Sequence, residues 1–108
     1  LLGTPMPVLL LDRSDVVFAA PPRLEIGAEP GMRVSLFPLA PVRGRSEGLR
    51  WPIDGLELAP GRRIGTSNEA TARRVVVETE GPGLLVILPA AALEAALAAL
   101  TAGAQGRR

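Results

Sequence analysis

Glycine and proline interrupt this chain so often that no long helix fits before Pro89. The 108 residues include 12 glycines and 11 prolines, and both residue types destabilise helix interiors. The middle of the chain is the most interrupted part, with glycine or proline at Pro41, Gly44, Gly48, Pro52, Gly55, Pro60, Gly61 and Gly65. Only short strands fit between these positions, so the sequence predicts an all-β sandwich or barrel.

Alternating apolar segments between the turns predict the individual strands. Residues 8–12 and 16–18 predict a hairpin. Leu24 and Ile26 mark a further strand, and Pro30-Gly31 predicts a type II turn before a strand over 32–39. Short strands are predicted at 49–53 and 56–58, with a hairpin signal at Asp54-Gly55. Residues 74–80 and 84–88 predict a second hairpin, closed by Gly81-Pro82-Gly83.

The composition changes at Pro89, after which alanine and leucine dominate. Leu93, Leu97 and Leu100 recur at helical spacing and share one face. Residues 90–102 are therefore predicted to form a helix that stops at Gly103, with a frayed tail over 104–108. The helix packs on the sandwich or against another subunit, and the sequence leaves both open. The predicted organisation is a sandwich over residues 1–88 and a helix over 89–103.

The residues that are missing exclude several kinds of chemistry. All 12 basic residues are arginine, and the chain has no histidine, lysine, cysteine or tyrosine. This excludes a histidine base, a cysteine nucleophile, a Schiff-base lysine, a disulfide and a Cys/His metal site. Gly44 and Gly48 lack the lysine and hydroxyl of a phosphate loop. A carboxylate pair is conceivable from Asp12, Asp15, Asp54, Glu57 and Glu69, although turns and strand ends use acidic residues routinely.

Charge and hydropathy indicate no nucleic-acid partner and no membrane partner. The formal net charge is +1, without the excess of basic residues that nucleic-acid binders usually show. No apolar run approaches the roughly 18 residues of a spanning helix. The chain begins with Leu1-Leu2-Gly3, not with methionine or the charged start of a signal peptide. We therefore expect a fragment of a cytoplasmic protein.

The segment from Gly44 to Asn68 holds the most informative polar and aromatic residues. Trp51 is the only tryptophan of the chain, and it is either a core anchor or a stacking surface for a ligand. Gly65-Thr66-Ser67-Asn68 groups hydrogen-bonding side chains beside a glycine, which suits either a binding cluster or a simple capped turn. A carbohydrate-binding sandwich with Trp51 as its platform is a further interpretation, but such sites usually show several aromatic residues.

Four ordered pieces of the sequence resemble one known family. They are Arg33-Val34-Ser35-Leu36-Phe37-Pro38-Leu39 with Val42-x-Gly44, then Gly48-Leu49-Arg50-Trp51-Pro52-Ile53, then Gly61 with Gly65-Thr66-Ser67-Asn68-Glu69, and finally Val75-Val76-Val77 with Gly83-Leu84-Leu85. In order and spacing they resemble the C-terminal, thiamine-binding domain of thiamine pyrophosphokinase. That family's pattern is a Val-Ser-Leu-x-Pro strand, a Gly-Leu-Lys-Trp/Tyr-Pro segment and a Ser-Asn turn. The resemblance covers roughly residues 8–88.

The resemblance implies a jelly-roll-like β-sandwich that serves an ATP-dependent transferase. Family members transfer pyrophosphate from ATP to thiamine, giving thiamine diphosphate and AMP. An N-terminal α/β domain, absent from this chain, would hold ATP, Mg²⁺ and the catalytic acidic residues. Members are homodimers whose thiamine site lies between the sandwich of one subunit and the α/β domain of the other. The chain alone is then expected to be inactive, with no catalytic residue, no metal site and no bound cofactor of its own.

The resemblance also implies which residues bind thiamine. Ser67 and Asn68 match the Ser-Asn turn that contacts thiamine, and Trp51 matches the aromatic residue near the pocket. Thr66 and Gly65 adjoin that turn, and Gly65 replaces a serine found in some members. An asparagine amide suits the donor and acceptor groups of an aminopyrimidine, while an indole face attracts a cationic thiazolium. The alternative hypothesis, supported by the missing hydroxyl at Gly65, is a dimerisation or interaction module that binds no ligand.

Overall fold

The computed structural model of the protein describes residues 9–11, 15–61 and 65–105, with side chains over 15–61 and 68–101. Within these residues the chain forms nine strands: β1 (Leu9–Leu11), β2 (Asp15–Ala19), β3 (Arg23–Gly27), β4 (Arg33–Pro38), β5 (Val42–Glu47), β6 (Glu57–Leu58), β7 (Gly65–Glu69), β8 (Arg74–Thr79) and β9 (Leu84–Pro89). A 3-10 helix over Ala90–Ala92 leads into α1 (Leu93–Gln105). Neither helix of the described part is long and apolar enough to cross a membrane.

The strands form two antiparallel sheets with nested pairing. One sheet has the order β1-β2-β9-β4-β7 and the other β3-β8-β5-β6. β2 pairs with β9, β3 with β8, β4 with β7 and β5 with β6. This is the pairing of one long hairpin with its tip between β5 and β6. The hairpin is rolled up, so that its strands are divided between the two sheets. The arrangement is that of a jelly roll, and the predicted all-β sandwich with a C-terminal helix is confirmed.

Inward-facing side chains of the two sheets form one apolar core. Along β3 and β9 every second side chain is buried, as expected for strands with one face on a core. The predicted alternation along β4 is confirmed for Val34 and Leu36, which are fully buried, and for Phe37, which faces outward. The largest fully buried side chains are Val16, Phe18, Leu24, Ile26, Val34, Leu36, Leu58, Val75, Val77, Leu84, Val86 and Leu88.

The helix α1 packs on the sandwich through its alanines. Ala96 and Ala99 are buried, whereas Leu97 is 44% exposed. The helix contacts β3, an edge strand of the four-stranded sheet, and small side chains allow it to approach this edge closely. The buried alanines belong to the same apolar core as the inward-facing side chains of the strands. The predicted stop at Gly103 and the frayed tail from residue 104 are wrong, because the helix continues to Gln105; residues 106–108 lie outside the described part.

The predicted hairpin of residues 74–80 and 84–88 is wrong. β8 lies between β3 and β5 in one sheet, and β9 lies between β2 and β4 in the other. Both edges of each strand are therefore already paired, and the connection at residues 80–83 crosses the roughly 10 Å between the sheets. Gly83, with φ +114°, adopts a conformation that favours glycine. Its carbonyl accepts a hydrogen bond from the Leu39 N–H at 2.6 Å.

Some of the other local predictions are confirmed and some are wrong. The hairpin of β1 and β2 is confirmed, and so is the turn at Pro30-Gly31, where Gly31 has φ +93°. The strand over 49–53 is wrong, since only Leu49 makes an isolated bridge there. The Asp54-Gly55 turn forms, but it is one part of a longer loop between the paired strands β5 and β6 and does not by itself close a tight hairpin. The sequence interpretation missed β5, and it took the strand β7 for a turn.

Candidate functional site

Trp51 lies in the tip loop, residues 48–56, which joins β5 to β6 at the end of the long hairpin. Its side chain is 53% exposed, so the interpretation of Trp51 as a core anchor is wrong. Large aromatic side chains are usually mostly buried. A half-exposed indole on an ordered loop is available as a stacking surface.

The first half of the tip loop runs along the end of the edge strand β7. The Thr71 N–H donates to the Gly48 carbonyl at 2.8 Å, and the Arg50 N–H donates to the Glu69 carbonyl at 2.9 Å. Between them Leu49 forms an antiparallel bridge with Ala70. The tip loop thus occupies hydrogen-bonding groups at the exposed edge of the five-stranded sheet.

The side chain of Asn68 continues this pairing by one step. The Trp51 N–H donates to Asn68 Oδ1 at 3.1 Å, and Asn68 Nδ2 donates to the Trp51 carbonyl at 2.8 Å. The Glu69 N–H donates to the same Oδ1 at 3.0 Å. Asn68 is 4% exposed. Its amide takes the place of a peptide group, and the structure thereby joins two of the predicted site residues, Asn68 and Trp51.

A charged pair supports the indole of Trp51. The guanidinium carbon of Arg50 lies 5.0 Å from the centroid of the indole ring, within the range of a cation–π contact. Arg50 Nη1 also donates to Glu69 Oε2 at 3.1 Å, so a carboxylate offsets the positive charge beside the ring. The sequence interpretation missed this role of Glu69, and the signal that was available was its place directly after Asn68.

Three of the predicted site residues lie on a distorted part of β7. In the pairing of β4 with β7, Val34 lies opposite Asn68 and Leu36 lies opposite Gly65. One extra residue of β7 is thus inserted between these two pairs, which is a β-bulge. Thr66 and Ser67 fall in the bulge. The side chains of Thr66 and Ser67 lie outside the described part, so the contacts of Gly65, Thr66 and Ser67 with thiamine stay predictions.

Three of the five acidic residues considered for a catalytic pair have structural partners. Asp15 pairs with Arg33, Glu69 with Arg50, and Asp54 accepts a hydrogen bond from the Ser46 N–H at 3.0 Å. Asp12 lies outside the described residues. Among the residues that the structure describes, no three acidic side chains lie close enough together to hold a metal ion.

A surface hollow of about 410 Å³ lies on the other sheet, and it contains none of the predicted site residues. Its lining is Pro22, Gly44, Arg45, Glu78, Thr79 and Glu80. Arg45 and Glu78 are bound to each other across the strands at 3.0 Å. The charged pair of Arg45 and Glu78 is thus occupied within the sheet and is not free to bind a ligand.

The sequence of this domain matches a known family over the region that builds the site. The family model described as "Thiamin pyrophosphokinase, vitamin B1 binding domain" matches residues 23–84. The chain belongs to this family. The match runs from β3 to the first residue of β9 and contains the tip loop and β7, so the predicted resemblance to the thiamine-binding domain is confirmed.

Solved structures of the vitamin B1 binding domain family have the same fold. The thiamine pyrophosphokinase from Bacillus subtilis shares 20% sequence identity with a TM-score of 0.65, over 81% of this chain and 42% of that one. The thiamin pyrophosphokinase from Geobacillus thermodenitrificans shares 18% with a TM-score of 0.64, over 78% of this chain and 40% of that one. A thiamin pyrophosphokinase family protein from Enterococcus faecalis shares 17% sequence identity with a TM-score of 0.60, over 75% of this chain and 38% of that one.

The chain thus spans about two-fifths of the length of the solved relatives that it matches. No curated protein sequence matches it significantly. The family is established by the match over residues 23–84, and the solved structures agree with its fold.

Proposed function

We propose that this chain is the thiamine-binding part of a thiamine pyrophosphokinase. The observation that carries the proposal is the match to the vitamin B1 binding domain over residues 23–84. The geometry agrees with that role, because the matched region holds a half-exposed indole on a loop that is tied to its neighbouring strand.

In this proposal the thiazolium of thiamine stacks on the Trp51 indole. Arg50 approaches the ring at 5.0 Å, so the ligand cation takes the face away from it, and Glu69 reduces the repulsion between the two positive charges. Ser67 and Thr66, with the backbone at Gly65, would meet the aminopyrimidine through their hydrogen-bonding groups. Binding of this kind needs no titrating side chain, which agrees with the absence of histidine and lysine.

Titration with thiamine tests this proposal. Trp51 is the only tryptophan and the chain has no tyrosine, so intrinsic fluorescence reports Trp51 alone and calorimetry gives the affinity. Trp51→Ala is expected to weaken binding roughly 2- to 30-fold through loss of the cation–π contact. Leu97→Ala is the matched control, since Leu97 is also exposed but lies on α1, away from the tip loop and β7 in the sequence, and it should leave the affinity unchanged. Absence of binding both by the chain and by a longer natural protein that carries it would refute the proposal.

The complete enzyme, in this proposal, transfers pyrophosphate from ATP to thiamine. The thiamine hydroxyl attacks the β-phosphorus, the bond from that phosphorus to the α-phosphate oxygen breaks, and AMP leaves with that oxygen. The described carboxylates do not assemble a metal site, so we assign ATP, Mg²⁺ and the proton-accepting groups to an N-terminal α/β domain. This chain's part is to hold and orient the substrate. We propose a cytoplasmic location for this enzyme, where ATP is available.

An activity assay on the 108-residue chain tests this division of labour. With ATP, Mg²⁺ and thiamine present, the chain alone is expected to form no AMP above the uncatalysed rate. Addition of the longer natural protein to the same assay is the positive control. Thiamine-dependent AMP formation by the chain alone would show that the catalytic groups lie within it.

A second candidate function is assembly, and one surface of the sandwich favours it. The outer face of the five-stranded sheet carries Val17, Phe37, Leu85 and Ile87, all partly exposed. A contiguous apolar sheet face commonly marks an interface. We propose that a second copy of the protein covers it, in a homodimer of the enzyme or in an interaction module that binds no ligand. Thiamine titration separates these two cases.

A further inference from the structure

Most hydrogen-bonding positions of the Asn68 side-chain amide are occupied by partners within the protein. Oδ1 accepts from two backbone N–H groups, those of Trp51 and Glu69, and Nδ2 donates to the Trp51 carbonyl. An asparagine amide offers two acceptor positions and two donor hydrogens. Both acceptor positions and one donor are thus occupied, and at most one N–H is left for anything else. The side chain is also buried, with 4% of its surface exposed.

We propose that Asn68 is a positioning residue that fixes the Trp51 indole, and that it does not recognise the ligand itself. This inference rests on the proposed function, in which Trp51 is the platform for the thiazolium. A direct contact of the Asn68 oxygen with thiamine would require release of the Trp51 or Glu69 N–H, which would leave a backbone donor without a partner in a buried place. The geometry favours a side chain that acts as a substitute peptide group.

A second side chain holds the other side of the same loop. Ser46 Oγ accepts from the Ile53 N–H at 3.1 Å, and the Ser46 N–H donates to Asp54 Oδ1 at 3.0 Å. Trp51 is therefore held from the β7 side by Asn68, while the residues after Pro52 are held from the β5 side. Among the described side chains, Asn68 contacts the backbone N–H and carbonyl of Trp51, whereas Ser46 on β5 contacts Ile53 and Asp54 of the same loop, which makes Ser46 a matched control.

The substitution Asn68→Asp converts this tether into one that responds to pH. A neutral carboxylic acid has a carbonyl and an O–H in place of the amide's carbonyl and N–H, so it can keep the bonds to Trp51. The ionised carboxylate has no donor and sets a negative oxygen against the Trp51 carbonyl. Burial and the facing Trp51 carbonyl disfavour ionisation of the introduced carboxyl, whereas the two backbone N–H groups at its oxygen favour it, so its pKa is read from the pH at which the anisotropy changes. Glu69, Arg50 and Arg33 flank the position in both proteins, so wild-type protein controls for their charges.

The steady-state fluorescence anisotropy of Trp51 without ligand is the first measurement. In Asn68→Asp it should be close to the wild-type value in acid and fall as the pH rises through the pKa of the carboxyl, while the wild type stays flat over the same range. Asn68→Ala, which cannot be charged, should show low anisotropy at every pH. Ser46→Ala should keep the wild-type anisotropy. An unchanged anisotropy in both Asn68 variants, or an equal fall in Ser46→Ala, would overturn the inference.

Thiamine affinity measured on the same proteins completes the test. Asn68→Asp should bind like the wild type in acid and roughly tenfold more weakly once the carboxyl is ionised. A weaker affinity at unchanged anisotropy would mean that Asn68 contacts the ligand directly, and it would overturn the inference. Failure of the wild type to bind thiamine would refute the proposed function alone, because the anisotropy still decides whether Asn68 fixes Trp51.

Discussion

The outer faces of the two sheets differ in polarity, since one is charged and the other is largely apolar. Six charged side chains on the four-stranded sheet form one connected ladder of ion pairs in the order Glu47, Arg74, Glu25, Arg23, Glu78 and Arg45. The five-stranded sheet instead carries two rows of apolar or small side chains across its strands, Ala19 with Leu85 and Phe37, and Val17 with Ile87 and Ser35.

This difference shows which constraint acts on each face. The inward faces of both sheets must be apolar to form the core, but an outward face is free to vary. The aliphatic parts of the charged side chains cover Val76, which is only 4% exposed. The ladder of ion pairs needs no partner other than water. The apolar rows gain by being covered. The charged face thus suits contact with solvent, and the apolar face is the one that we propose for assembly.

The largest effect is expected from Gly44→Ala, which breaks the pairing beneath the charged ladder. A Cβ on Gly44 would lie 2.0 Å from the Glu78 carbonyl oxygen, which is backbone and cannot move aside easily. β5 would have to shift away from β8, with a loss of about 3 kcal/mol or more in the free energy of unfolding. Urea denaturation measures the loss. Gly81→Ala, where no atom lies within 4 Å of an added Cβ, should stay within about 0.5 kcal/mol of the wild type.

The next effect concerns the apolar face. Phe37→Arg places a charge on this face, so a homodimer formed through it should become a monomer, because an unpaired charge is costly to bury. Light scattering coupled to size-exclusion chromatography gives the mass directly. Arg45→Ala, on the charged face, should leave the mass unchanged. A wild-type monomer at micromolar concentration, or a Phe37→Arg dimer, would contradict assembly through this face.

A smaller effect is expected from the ladder itself. Arg45→Met removes the ion pair with Glu78. The side chain of Arg45 is 74% exposed and that of Glu78 is 36% exposed. Exposed pairs contribute about 0–1 kcal/mol and less at high salt. Thermal unfolding at low and high salt should show a small loss that shrinks as salt is added. Arg73→Met, at an arginine without an ion pair among the described residues, is the control, and a large loss that does not depend on salt would contradict an electrostatic origin.

The smallest effect is in the pH dependence. The hydrogen bond from Arg23 lowers the pKa of Glu25 below its ordinary value of 4.5. The pair therefore stabilises the fold above that value, and the contribution is lost as the pH falls through the lowered pKa. Glu25→Gln should flatten the decline in stability between about pH 5 and pH 3. An equal decline in the wild type and the variant would show that the pair does not affect acid stability.

The sequence predicted the sandwich but not which strands share a sheet. Gly81-Pro82-Gly83 looks like a hairpin turn, yet β8 and β9 lie in different sheets because each already has two neighbours. β5 was missed because Arg43 and Arg45 flank a glycine and its apolar residues are few. These outcomes depend on long-range pairing, which the local pattern does not contain.

The site shows the same limit at the level of single residues. Motif matching brought Trp51 and Asn68 into one site, and the structure does join them. It did not show that the asparagine holds the backbone of the tryptophan, because that contact depends on the tip loop returning to β7. Polar Gly65-Thr66-Ser67-Asn68 was taken for a turn, but pairing with β4 makes it a strand. Tertiary contacts override weak local preferences in such segments.

The nested strand pairing has a consequence for how the chain finds its fold. Ends that are distant in sequence cost more entropy to bring together than near ones. β5 and β6 are near neighbours at the tip of the hairpin, and once they meet, β4 and β7 face a shorter effective loop, then β3 and β8, then β2 and β9. We expect folding to proceed as a zipper from the tip outward, slowly as for other chains rich in non-local contacts. Trp51 lies at the tip, where strand pairing is expected to start. Its fluorescence emission should therefore change before β2 and β9 pair.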